Sequence, residues 1–162
     1  MASNYKFVIE GKEKEKKFAE LFKSVEFSTC KEDRQEKWDV KIISKVDVKG
    51  LKKIDRTNKD YNENWHWIEL QGNAGNPGWL FGGADYFAFE TFNYWMVVSK
   101  TELQRFIKKH VTSKKVLTTK TPYKLYQRKG KKDLITLVSS IDLCYLADAI
   151  IHKNEPFIKK PL

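Results

Sequence analysis

Apolar residues recur at Phe18, Leu21, Phe22 and Val25, the i, i+3, i+4, i+7 spacing of a helix with one buried face. The pattern predicts a helix from Lys12 to about Val25. Ahead of it, Tyr5–Ile9 reads as a short strand or ordered arm that Gly11 breaks. Lys37–Lys49 is rich in valine and isoleucine and predicts two strands, with Ser44-Lys45 as a tight connection. Lys52–Asn64 is polar and reads as a loop. Trp65–Gln71 predicts a third strand, with Trp65, Trp67, Glu69 and Gln71 on one side and His66, Ile68 and Leu70 on the other. Past a glycine- and asparagine-rich loop, Ala84–Phe89 and Tyr94–Val98 read as further strands.

Ser99 with Glu102 three residues on predicts a capping box, opening a helix to about Val111 that buries Leu103, Phe106 and Ile107, with His110 a further candidate for burial. Tyr123–Arg128 and Asp133–Val138 predict a hairpin, and Ile141–His152 a final helix. This order predicts an α/β (α+β) fold, one domain over residues 1–162 with a central mixed sheet flanked by helices.

Charge changes the picture. The net charge is +10, yet between Lys100 and Lys132 twelve Lys or Arg face a single acid, Glu102. The rest of the chain holds nineteen basic against twenty acidic residues, so the whole excess lies in one segment. A field concentrated in this way attracts a polyanion and releases its counterions. The expected partner is nucleic acid, DNA favoured. Its backbone would be held by Lys100, Arg105, Lys108 and Lys109 on the helix, by Lys114 and Lys115 beyond it, and by Arg128, Lys129, Lys131 and Lys132 at the hairpin.

No apolar run approaches the ~20 residues that span a bilayer, and the first residues lack a signal-peptide layout. An intracellular, cytoplasmic location without a membrane partner is therefore expected. Cys30 and Cys144 follow no metal-ligand spacing and are expected to be buried, inert thiols. His66, His110 and His152 suggest no cluster, and no phosphate loop or dinucleotide fingerprint is present. Monomer and homodimer both stay open.

The segment that carries chemistry is Trp38-Asp39-Val40 through Val46-Asp47-Val48-Lys49-Gly50. On a strand, Asp47 and Lys49 share a face while Val46 and Val48 point into the core. Asp39 on the preceding strand lies beside them if the two strands pair. Two carboxylates and a backbone carbonyl suit Mg²⁺, and a lysine beside them could orient water or neutralise charge developing on phosphorus. Glu69 and Gln71 are a second acid-x-polar pair, a third ligand and a phosphate or water contact if their strand lies alongside. Asp85 reads as a structural acid.

Asp39 followed by Asp47-Val48-Lys49 resembles the active-site signature of the PD-(D/E)xK nuclease superfamily, which includes restriction endonucleases, Holliday-junction resolvases and phage and repair nucleases. The resemblance covers about residues 10–111, leaving 112–162 as a basic hairpin and helix added to a restriction-endonuclease-like core. It implies a metal-dependent endonuclease, with Mg²⁺ or Mn²⁺ held by Asp39, Asp47 and the Val48 carbonyl and Lys49 assisting hydrolysis. The superfamily's first helix often supplies a further acid. On the helical wheel Glu20 faces away from the apolar stripe and Glu15 lies at its rim, so Glu15 is the expected one.

Overall fold

The computed structural model describes residues 2–19 (main chain only for 2–10), 26–41, 44–53, 60–111 and 115–154. Leu21, Phe22, Val25, Glu20 and Lys114 lie outside them. Helix α1 runs Ala2–Ala19, so Tyr5–Ile9 is helical and Gly11 does not break it. A single glycine inside a helix costs only about 1 kcal/mol, too little to end one.

Strands β1 (Glu26–Phe27), β2 (Val40–Lys41), β3 (Lys45–Lys49), β5 (Tyr86–Glu90), β6 (Tyr94–Ser99) and β8 (Ala149–His152) form one six-stranded sheet in the order β1-β2-β3-β5-β6-β8. Only β3 and β5 run parallel, so the sheet is mixed. Strand β4 (Trp65–Gln71) has the predicted bounds but leaves this sheet and pairs antiparallel with β7 (Leu134–Ser139). The expectation of one sheet is thus corrected to two.

Alternation along the strands explains the layers. Phe87, Phe89, Met96 and Val98 pack with Ile68 of β4, Val138 of β7 and Leu103 and Ile107 of α3 (Lys100–His110). On the opposite face Val46, Ala88 and Trp95 pack beneath Phe18 of α1, whose ring meets Trp95 edge-on at 5.2 Å. The Ser99 hydroxyl accepts from the Glu102 N–H, but the Glu102 carboxylate turns to Arg105, so the cap is one-sided.

Three further differences have local causes. Helix α2 (Cys30–Glu36) was not predicted from the apolar pattern because it buries nothing; Thr29 and Glu32 build a full capping box at its start. The predicted final helix stops at Leu146: α4 spans Ser140–Leu146, and Ala149–His152 returns as β8, pairing with β6. There the Asp148 carboxylate accepts from the Ser99 N–H at 2.8 Å and ties the turn to β6. The predicted hairpin is reduced to isolated bonds on the free edge of β7, a two-way backbone bond between Tyr126 and Ile135 and the Tyr123 N–H to the Leu137 carbonyl at 3.0 Å; Tyr123 at φ 57 breaks the extended arm between them. Both cysteines and His110 are exposed, not buried. No helix of the described residues is long and apolar enough to cross a membrane.

Candidate functional site

Strand β2 pairs with β3 through Val40↔Val46 and Lys41↔Lys45. Asp39, one residue before β2, therefore comes opposite Asp47. Its main-chain N–H bonds the Val46 carbonyl at 3.1 Å, and its carboxylate accepts from the Val48 N–H at 2.8 Å. The carboxylate thus continues the ladder ahead of the point where β2 begins. Strand alternation points the Val48 carbonyl to the same edge.

Asp47 is only 4% exposed. Lys49 Nζ lies 2.5 Å from its Oδ1 and 4.3 Å from the centre of the Trp79 ring, so a carboxylate and an indole face fix the ammonium. Trp79 belongs to a 3-10 turn (Trp79–Phe81) and rests on Phe87 at 4.8 Å. Burial pushes the Asp47 carboxyl up to about 7; Lys49 draws it down, and the neighbouring Asp39 carboxylate raises it further. Burial, followed by Asp39, also raises Glu15 above the ordinary carboxylate range.

These groups line a cleft of about 290 Å³ with Glu15 of α1, Glu69 of β4 and Trp79. The fold thereby brings Glu15, Asp39, Asp47, Val48, Lys49 and Glu69 together, although Glu69 belongs to a different sheet. Gln71 goes elsewhere: a register shift between Glu69 and Gln71 breaks the strand's alternation, and the Gln71 amide donates to the Lys132 carbonyl at 2.5 Å.

Asp33 and Lys37 also line the cleft. Hydrophobic patterning missed them because both depend on α2, which only the Thr29–Glu32 capping box could have revealed. The end of α2 docks closely on the 3-10 turn. The Gly83 N–H donates to the Glu36 carbonyl, and the Lys37 side chain fills the space a Cβ on Gly82 would need.

Lys100, Arg105 and Arg128 of the basic segment are tethered by their side chains. Lys100 Nζ donates to the Gly82 carbonyl at 3.0 Å, and Arg105 pairs with Glu102. Arg128 pairs with the buried Asp133 and donates to the Asn73 side chain at 2.7 Å. Lys108, Lys109, Lys115, Lys129, Lys131 and Lys132 are exposed. The Lys129–Lys132 turn is bonded to the loop leaving β4, through Lys132 N–H to the Asn73 carbonyl at 3.2 Å. Its cations therefore stand at the end of β4 that carries Glu69.

Among the described residues no three acidic, histidine or cysteine side chains form a ready metal site. What adjoins is a pair of carboxylates, Asp39 and Asp47, within hydrogen-bonding reach of each other and served by one ammonium. That donor set is short of positive charge and offers only oxygen, which fits a small divalent cation completed by water. Comparison with protein-family models, curated proteins and solved structures finds no match for this chain.

Proposed function

We propose that this protein is a metal-dependent endonuclease with a PD-(D/E)xK-like site, acting on nucleic acid and favouring DNA. The observation that carries the reading is the meeting of Asp39, Asp47 and Lys49 at the open end of the β2–β3 pair, in one cleft with Glu15 and Glu69. The order of a helix, a strand preceded by an acid and a strand bearing acid-x-Lys supports a restriction-endonuclease-like core.

Asp39, Asp47 and the Val48 carbonyl would hold Mg²⁺ or Mn²⁺, which when bound supplies Lewis acidity toward a phosphoryl oxygen. Asp47 would act as a ligand in its ionised form. Lys49, steadied by Trp79, donates to a non-bridging phosphate oxygen and balances charge developing on phosphorus. Glu15 and Glu69 accept from water entering the cleft and orient it. The exposed lysines of α3 and of the Lys129–Lys132 turn hold the flanking backbone without reading sequence.

The test is cleavage of duplex, single-stranded, branched and RNA substrates with Mg²⁺, Mn²⁺ or EDTA. Lys49→Ala and Asp47→Asn are expected to lower metal-dependent cutting by roughly a hundredfold or more while binding persists. Cutting that survives both substitutions would move the active site away from β3. Salt-sensitive binding without any cutting would leave a nucleic-acid-binding module.

A further inference from the structure

A second cleft, of about 360 Å³, lies on the other side of α1. Lys14 lines it while the next residue, Glu15, lines the first cleft. The same division falls across Gly50: Lys49 belongs to the first cleft and Leu51 to the second. The Lys14 side chain occupies the space a Cβ on Gly50 would need, so α1 and β3 meet there as a thin shared wall.

Two aromatic rings stand half in solvent at this cleft, Tyr61 at 44% and Phe92 at 54% exposure. Phe92 sits at the tip of the β5–β6 connection, and its main chain is firmly held. Glu63 accepts its N–H at 2.9 Å, and Thr91 and Tyr94 close the turn around it. A hydrophobic ring thus stands half in solvent on a firmly held main chain.

Lysines interleave with the rings. Lys14 Nζ is 5.2 Å and Lys53 Nζ 5.9 Å from the centre of the Tyr61 ring. Glu90 engages Lys14 and Lys153 at 3.1 and 2.9 Å, whereas Lys17 and Lys53 are exposed. Glu13 is the other acid of the lining. Half-exposed aromatic rings interleaved with cations form the kind of platform on which unpaired bases stack while phosphates meet ammonium groups. A continuous duplex keeps its base faces covered and cannot use such rings.

We infer that this second cleft is a subsite for an unpaired nucleic-acid strand, stacking bases on Tyr61 and Phe92 and seating phosphates on Lys17 and Lys53. The inference rests on the nucleic-acid-binding part of the proposed function and deepens it. The strand runs across the α1–Gly50 wall into the cleft of Asp39, Asp47 and Lys49. The substrate class is nucleic acid with a single-stranded stretch beside the phosphate that is cut.

The test is binding of a fluorescent single-stranded oligonucleotide, and of a blunt duplex of the same sequence, measured by anisotropy in EDTA so that cleavage plays no part. Tyr61→Ala and Phe92→Ala are each expected to weaken single-strand binding roughly fivefold or more and to leave duplex binding unchanged. Phe92→Trp keeps the ring and is expected to retain affinity. Both side chains stand half in solvent and outside the two core clusters, so thermal unfolding of the variants should stay close to wild type. Unchanged single-strand affinity in both alanine variants would overturn the inference. So would equal losses on both substrates, or no single-strand binding by the wild type at low salt. Metal-dependent cutting is scored separately with Asp47→Asn: loss of the nuclease reading alone would leave the ring dependence in place.

Discussion

Two buried carboxylates on neighbouring strands of the same sheet have opposite surroundings. Glu90, at the end of β5, is 7% exposed and is answered on every side. Lys14 and Lys153 pair with it, and the Leu51 N–H donates to it at 2.8 Å. Burial alone would raise its pKa, but Lys153, the Leu51 N–H and Lys14 together hold it below the ordinary range. Asp47, on β3, has one ammonium and a second carboxylate, and its pKa is raised to about 7. Glu90 fastens α1 and β8 to the sheet through its two lysines. Asp47 pairs with the single ammonium of Lys49, and its other charged neighbour is the Asp39 carboxylate, which repels it. An acid whose donors are all supplied by the fold is structural; one left short of them is available to a ligand.

Substitution by the isosteric amide should separate the two most clearly. Glu90→Gln leaves two lysines facing a neutral amide and is expected to lower stability by about 3 kcal/mol, read by chemical denaturation. Asp47→Asn is expected to act in the other direction in metal-free protein. The folded pKa of Asp47 lies above its unfolded value of 3.8, so the folded state binds its proton more tightly. Stability therefore falls as pH rises from 3.8 toward 7, and the full loss persists above that. The amide removes this loss, so above pH 7 Asp47→Asn should be at least as stable as wild type in EDTA. A marked destabilisation would make Asp47 a structural acid like Glu90.

His66 sharpens the same contrast from the cationic side. It is buried on β4 against Phe89, with Nε2 3.1 Å from the Ser140 hydroxyl. Burial lowers its pKa from 6.5 to about 4, and the nearby Glu90 charge opposes the shift. Below 6.5 the unfolded chain takes up a proton that the folded chain refuses until about 4. Stability should therefore fall by about 3 kcal/mol as pH drops through that window. His66→Gln should remove this part of the slope, measured as the wild-type-minus-variant difference in unfolding free energy. A difference that stays flat across the window would mean that the folded ring takes up its proton at the same pH as the unfolded one.

The contrast also shows which parts of the molecule local pattern could reveal. Asp47 and Lys49 share a face through strand alternation, and Asp39 needed only a hairpin to reach them, so that grouping was legible. The rim position of Glu15 followed from the wheel. The division of the strands into two sheets was not legible, because β4 has the same alternation whichever strand pairs with it. Asp33 and Lys37 depend on a helix with no buried face, invisible to hydrophobic periodicity. The Ile150–Ile151 pair fits a helix or an edge strand equally well, and the open edge of β6 decided for the strand. The cleft of Tyr61 and Phe92 joins residues far apart in sequence, and nothing local marked their rings as exposed.

A third acid, Asp85, tests the rule at its smallest scale. Its carboxylate accepts from the Lys45 N–H at 2.9 Å, and its main chain bonds both Lys45 and Lys100. It therefore clips the start of β3 to the start of α3, and it does not line the cleft of Asp47. The group is exposed, so water replaces much of what the bond provides. Asp85→Ala is expected to cost about 1 kcal/mol and to leave metal-dependent cutting within a factor of about two of wild type. The measurements are denaturant midpoint and initial rate on the best-cut substrate of the panel. A stability loss with unchanged cutting would class Asp85 with Glu90. Loss of cutting at unchanged stability would place it with Asp47, and availability to a ligand could then no longer be read from the donors the fold supplies.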